Sequence, residues 1–133
     1  MSLEQTIAIT TGQAFTDIDA FACIVVYTEL LQLQGKNSFA IVPGPLNHSI
    51  TSELHSKVAV EILSEPSTSF DEIVIMDTSH PEHFANFVDI EKVSKIYDHH
   101  FGFERYWQEK LGNNAVIEPV GACATLIWEE VQK

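Results

Sequence analysis

The segment "DEIVIMDTSH" is a near-continuous run of apolar, largely β-branched residues that stops on a carboxylate, Asp77. A strand that is apolar on both faces must be covered on both, which points to a parallel sheet sandwiched between helices. The rest of the chain supplies those parts. "TIAITTG" and "SFAIVPG" read as strands ended by Gly12 and by Pro43-Gly44, "KVSKIYDHH" as another, and "AVIEPVG" as a short last one. From about Asp17 to Gly35 the spacing of Phe21, Ile24, Val25, Thr28, Leu31 and Leu33 is helical. "SITSELHSKVAVEIL" predicts a second helix, "PEHFANFVDIE" a short third, and "ACATLIWEEVQK" a final one; the remaining interval is the aromatic-rich "FGFERYWQEKLGNN". Strands and helices alternate throughout. The expected fold is a three-layer α/β domain, Rossmann-like, with a doubly wound parallel sheet of five strands or slightly more. At 133 residues the chain fits a single domain spanning 1–133. The leader Met1-Ser2-Leu3 is kept out of this reasoning.

Composition excludes some functions. With 19 acidic and 7 basic residues the formal charge is -12, which argues against bulk electrostatic binding of nucleic acid or of an anionic membrane. "AFACIVVYTELL", the richest apolar stretch, is broken by Thr28 and Glu29, and no basic-then-apolar leader precedes it. A soluble, cytoplasmic protein with no membrane partner is the expectation. Cys23 and Cys123 are far apart in sequence, each in an apolar helical context, and read as small buried hydrophobes rather than a disulfide or metal pair.

The unusual polar groups collect at strand ends. In an open parallel sheet the carboxyl ends of the strands form one rim where ligands sit. Asp17 and Asp19 follow the first strand, Asp77 ends the third, and Asp98, His99 and His100 end the fourth. Four carboxylates in one crevice cannot all stay ionised without a counter-charge, and divalent cations supply one. An imidazole beside them suits a transition metal. Two ions about 3.5–4 Å apart can activate water and screen a phosphoryl group, which suggests hydrolysis of phosphoester or phosphoanhydride bonds. Plainer roles stand beside these: Asp17 or Thr16 can cap the first helix, Asp77 and Thr78 the next, and a loop histidine is often solvated. The coincidence of three clusters favours the metal reading.

Those three segments, "FTDIDAFA", "IVIMDTS" and "YDHHFGF", resemble in order and strand context the motifs of the DHH phosphoesterase superfamily. "GPLNHSITSEL" and "PVGACATLIWEE" are similar to segments of its manganese-dependent inorganic pyrophosphatases and exopolyphosphatase-like proteins. The resemblance implies two Mn²⁺ ions, with Mg²⁺ or Co²⁺ as alternatives. Asp17 would bind the first, Asp19 and His99 the second, and Asp77 both. His100 would face the substrate phosphate, Asp98 would orient an imidazole, and Asn47 and Gly121 are further candidates near the substrate. The implied partner is a small phosphate-containing substrate, with a homodimer left open. Two departures stand out. Gln13 occupies the position where the family has a histidine, and neither the family's fourth motif nor its substrate-gripping second domain is found in this chain. A phosphodiesterase acting on short oligonucleotides or cyclic dinucleotides, and a non-catalytic nucleotide- or partner-binding module, are the alternatives. A phosphoacceptor receiver domain fits poorly, since "EPVG" stands where its lysine belongs, and no glycine-loop nucleotidase pattern exists.

His80, His83, His48 and His55 also invite attention. Pro81 is expected to start a helix that turns His80 and His83 outward, and His55 to sit on a helix surface. Phe101, Phe103, Tyr106 and Trp107 can form satellite core, an interface or a base-stacking surface. Lys95 and Arg105 are the cations nearest the histidine pair in sequence.

Overall fold

A computed structural model describes residues 5–133, so the leader Met1-Ser2-Leu3 lies outside the described residues. Six parallel strands form one sheet: β1 (Thr6–Thr10), β2 (Asn37–Ile41), β3 (Ile62–Leu63), β4 (Glu72–Met76), β5 (Val93–Asp98) and β6 (Ala115–Ile117). Their spatial order is β3-β2-β1-β4-β5-β6. The chain therefore winds outward from β1 in one direction, returns, and winds outward in the other. The topological switch point lies between β1 and β4, where Ile7 to Thr10 pair with Glu72 to Ile75. This is the α/β Rossmann-like fold the sequence predicts, with a slightly larger sheet.

Alternation along the strands separates two cores. Ile7, Ile9, Val74, Met76 and Tyr97 face α1 (Ile18–Leu33) and α4 (Cys123–Val131). Ala8, Ile73, Ile75 and Ile96 face the opposite side, where α3 (Glu104–Leu111) buries Trp107. Trp107 is fully enclosed, and its indole N–H donates to the Ser79 carbonyl at 2.7 Å. The aromatic-rich segment thus supplies core through Trp107, while Phe101 and Tyr106 stay exposed.

Two expected helices are corrected. Of "SITSELHSKVAVEIL" only α2 (Ser52–Ser56) is helical, capped by the Thr51 hydroxyl, and Ile62–Leu63 becomes β3. Val58, Val60 and Ile62 alternate and are β-branched, which favours extended chain, and β3 completes the sheet edge against Ala40 and Ile41. "PEHFANFVDIE" forms two 3₁₀ turns, Pro81–His83 and Ile90–Lys92, in place of a helix. Between them Phe84 and Ala85 are buried, and the Ala85 N–H donates to the Thr11 carbonyl. Tertiary pairing there outweighs the local helical pattern. Among the described residues no helix is long and apolar enough to cross a membrane.

Candidate metal centre

Three chain segments bring acidic groups to the carboxyl edge of the sheet, beside the switch point. The first follows β1. Asp17 is the N-cap of α1, its Oδ1 accepting the Ala20 N–H at 2.9 Å, which realises the capping role and leaves its second oxygen available. In the first turn of α1, Asp19 reaches across to the start of α4, whose N-cap Ala122 has no capping side chain. Asp19 Oδ2 accepts the Cys123 N–H and Oδ1 the Ala124 N–H, each at 2.9 Å. A carboxylate from α1 thereby satisfies and electrostatically complements the N-terminus of α4.

The second segment is the end of β4. Asp77 adopts a left-handed backbone (φ 62°), uncommon for a residue with a Cβ, while its N–H still donates to the Tyr97 carbonyl at 2.8 Å. The strand pairing thus continues to the last residue, and the turn then directs a side chain only 6% exposed into the crevice. Burial, then the charges of Asp19 and Asp17, push its carboxyl up to about 8, against a smaller opposing effect of His99.

The third is the end of β5, where Asp98 is fully buried. Its Oδ1 accepts the His99 backbone N–H at 2.8 Å and lies 2.7 Å from His100 Nδ1. His99 Nδ1 lies 3.1 Å from the Val120 carbonyl. A carbonyl only accepts, so Nδ1 carries a proton, and Nε2 is the nitrogen that can ligate a metal ion. That Nε2 lies 3.0 Å from Asp77 Oδ1 and 3.5 Å from Asp19 Oδ2.

These three atoms meet favourably only around a cation, a proton on the imidazole or carboxyl or a metal ion. Asp77 Oδ1 and Asp98 Oδ2 are buried and have no hydrogen-bond donor aligned on them. A buried carboxylate oxygen without a partner is costly, and a divalent ion beside His99 Nε2 would satisfy that of Asp77. Asp77, Asp98, His99 and His100 place ligand atoms within 4.8 Å of one another. The residues present fit a metal ion.

Searches among known proteins give a limited answer. No protein-family model matches the chain. It is similar to the probable manganese-dependent inorganic pyrophosphatase of Lactobacillus acidophilus, 25% identical over 120 residues, and to those of Lactobacillus gasseri and Lactobacillus johnsonii, 24% identical over 120 residues. Those 120 residues are 89% of this chain and 38% of each relative, so the chain spans well under half of their length.

Other expected residues are placed as follows. Gln13 lines the crevice, but its Oε1 accepts the Asn86 N–H at 2.7 Å. Asn47 spends its Oδ1 on the Ser49 N–H, and its own N–H holds the Thr16 carbonyl. Gly121 is exposed beside α4, whose first N–H groups are taken by Asp19. His100 lines the crevice with its ring largely exposed. Lys95 lies elsewhere, beside Glu72 and Lys36, and Arg105 pairs with Glu109 at the surface. Cys23 and Cys123 are free and buried; the Cys23 thiol donates to Asp19 Oδ1 at 3.9 Å and the Cys123 thiol to the Tyr97 carbonyl at 3.2 Å, and the neighbouring Cys123 and then burial push the Cys23 thiol far above its ordinary range. His55 packs on Phe21 at the surface of α2.

Sequence reasoning missed one wall of the crevice. His83 lines it, against the expectation that Pro81 turns it outward. The Gln13 N–H donates to the His83 carbonyl, and Gly12 bridges Phe84 in antiparallel fashion, folding the segment back over the site. Gly12 is needed there, since a Cβ would sit 3.0 Å from the His83 carbonyl oxygen. "TTGQ" followed much later by "PEHF" carries no periodic signal of such pairing.

Proposed function

We propose that the chain is a metal-dependent phosphohydrolase domain that cleaves a phosphoanhydride such as pyrophosphate or polyphosphate. The observation that carries this reading is the convergence of Asp77 Oδ1, a buried carboxylate oxygen with no hydrogen-bond donor aligned on it, and Asp19 Oδ2 on His99 Nε2. Similarity to manganese-dependent inorganic pyrophosphatases supports it and favours Mn²⁺. Asp19, Asp77 and His99 would hold the tighter ion. Asp17 and Asp77 would hold a weaker one, because Gln13 Oε1 is engaged with Asn86 and offers that ion no ligand. Divalent ions bound there supply charge screening and Lewis-acid activation of water.

The protein groups do the rest. The Val120 carbonyl fixes the His99 tautomer, and Asp98 anchors both histidines. His100, with Nδ1 on Asp98, presents Nε2 to the crevice and acts as the proton donor to the departing phosphate oxygen. Phosphate release from pyrophosphate, tripolyphosphate and a dinucleotide, with and without Mn²⁺, tests the reading in wild type and Asp77→Asn. Release from the anhydrides that needs Mn²⁺ and is lost in the variant is expected. Cleavage indifferent to Mn²⁺ or to the substitution overturns it, and cleavage confined to the dinucleotide favours the phosphodiesterase.

A further inference from the structure

The crevice continues past the metal centre, and the continuation is aromatic. One lobe, ≈430 Å³, is lined by Asp17, Asp77, His83 and His100 among others. A second, ≈410 Å³, shares Asp77, Thr78, His83 and His100 with it and extends over His80, Phe101 and Phe103. The shared residues make the two lobes one groove. Along the second lobe three rings lie in contact: His80 stacks on His83 at 4.3 Å, centroid to centroid and within 24° of parallel, and meets Phe103 on its other side at 4.4 Å, tilted by 49°. His80 is the middle ring, and His83 ends the stack exposed in the groove.

Two phenylalanines flank the groove without contributing to the core. Phe101 borders the aromatic lobe and is 65% exposed; Phe15 borders the metal lobe and is 66% exposed. Phe15 also holds a left-handed backbone (φ 57°), tied by its N–H to the Pro45 carbonyl at 2.7 Å. Strain of this kind in a residue that buries nothing is characteristic of ligand-contacting positions. Neither ring is explained by folding.

We infer that this groove takes a nucleotide, its base continuing the His80-His83 stack on the exposed face of His83 with Phe101 at its edge, and its phosphates reaching Asp77 and His100. Aromatic faces accept any base, because every base presents a π-face, and the contact adds affinity without sequence readout. Inorganic pyrophosphate would leave the aromatic lobe empty, so the geometry points to a nucleoside 5′-diphosphate or triphosphate as the anhydride. Water would attack the terminal phosphorus and the bridging P–O bond would break. Phosphate and the nucleotide shortened by one phosphate result, with one proton released. The phosphate end of this assignment rests on the metal centre proposed above; the base end does not.

Binding measurements separate the two ends. AMP and ribose 5-phosphate are titrated into Mn²⁺-loaded wild type, His83→Ala and Phe101→Ala, and adenosine and ribose into the metal-free proteins. The groove assignment expects AMP to bind at least about 10-fold more tightly than ribose 5-phosphate, with His83→Ala and Phe101→Ala each removing most of that preference. Both residues are exposed, so both variants should fold. Equal binding of AMP and ribose 5-phosphate overturns it. So does a His83→Ala variant that weakens both ligands alike, since His83 would then serve the phosphate or the metal. If Mn²⁺ itself does not bind, the metal centre fails, and the preference for adenosine over ribose decides the aromatic lobe alone.

Discussion

His99 Nε2 lies 3.0 Å from Asp77 Oδ1, so the tips of two adjacent parallel strands meet through an imidazole and a carboxylate. The contact holds Asp77 in a crevice that also contains Asp19 and Asp17, where its charge is poorly solvated. The Asp77 carboxyl is consequently pushed up to about 8 from an ordinary value near 4.

That displacement makes the metal-free protein sensitive to pH. Between about pH 4 and about pH 8 the folded chain retains a proton that the unfolded chain releases. The contribution to stability is therefore complete below pH 4 and is lost as pH rises through about 8. With metal chelated, Tm should fall by about 10 °C or more between pH 5 and pH 8.5, and Asp77→Asn should flatten the profile while keeping the left-handed turn, which Asn tolerates. A wild-type profile as flat as that of the variant would contradict the burial of this carboxylate.

Asp98 holds the His99 backbone N–H and His100 Nδ1, and in the proposed site it would contact neither substrate nor the tighter ion. Its replacement by Asn keeps an acceptor for the His99 N–H but weakens the hold on His100. A roughly 10–100-fold loss in Mn²⁺ affinity or in turnover is expected, with little change in fold by circular dichroism. Unchanged affinity and turnover would assign Asp98 to the fold alone.

Asp19 holds the N-terminus of α4 and, in the proposed site, is also a metal ligand. Asp19→Ala leaves the Cys123 and Ala124 N–H groups without their acceptor, and urea unfolding at pH 5 should show a loss of about 1 kcal/mol. Asp19→Asn retains an acceptor and should recover part of that stability while remaining impaired in Mn²⁺ binding. Equal metal affinity in wild type and Asp19→Asn would remove Asp19 from the ligand set.

On the opposite face of the sheet, Trp107 fills the core and donates to the Ser79 carbonyl, two residues beyond Asp77. Trp107→Phe should cost about 1–2 kcal/mol by leaving that buried carbonyl without a donor and by shrinking the packed ring. A smaller cost would mean that water replaces the indole N–H.

The parts visible in the sequence are those with local causes. Apolar runs ending on Asp77 and on Asp98-His99-His100 announced buried parallel strands with polar tips, and helical spacing from Phe21 to Leu33 announced α1. The grouping of those tips follows from parallel topology, which puts every strand end on one edge. What stayed hidden depends on contacts between distant segments. Nothing around Asp19 announces that it caps a helix more than a hundred residues later. The backbone pairing of Gly12 and Gln13 with His83 and Phe84 turned an expected helix into a wall of the crevice. The "VAVEIL" segment was lost to the helix pattern because its alternating β-branched residues matter only once β2 offers an open edge.

Calorimetric titration of Mn²⁺ into wild type and Asp77→Asn tests the metal centre most directly. The account predicts one tight ion, with a second bound more weakly, and loss of the tight ion in the variant. Absence of binding in wild type, or equal binding in both proteins, would contradict it.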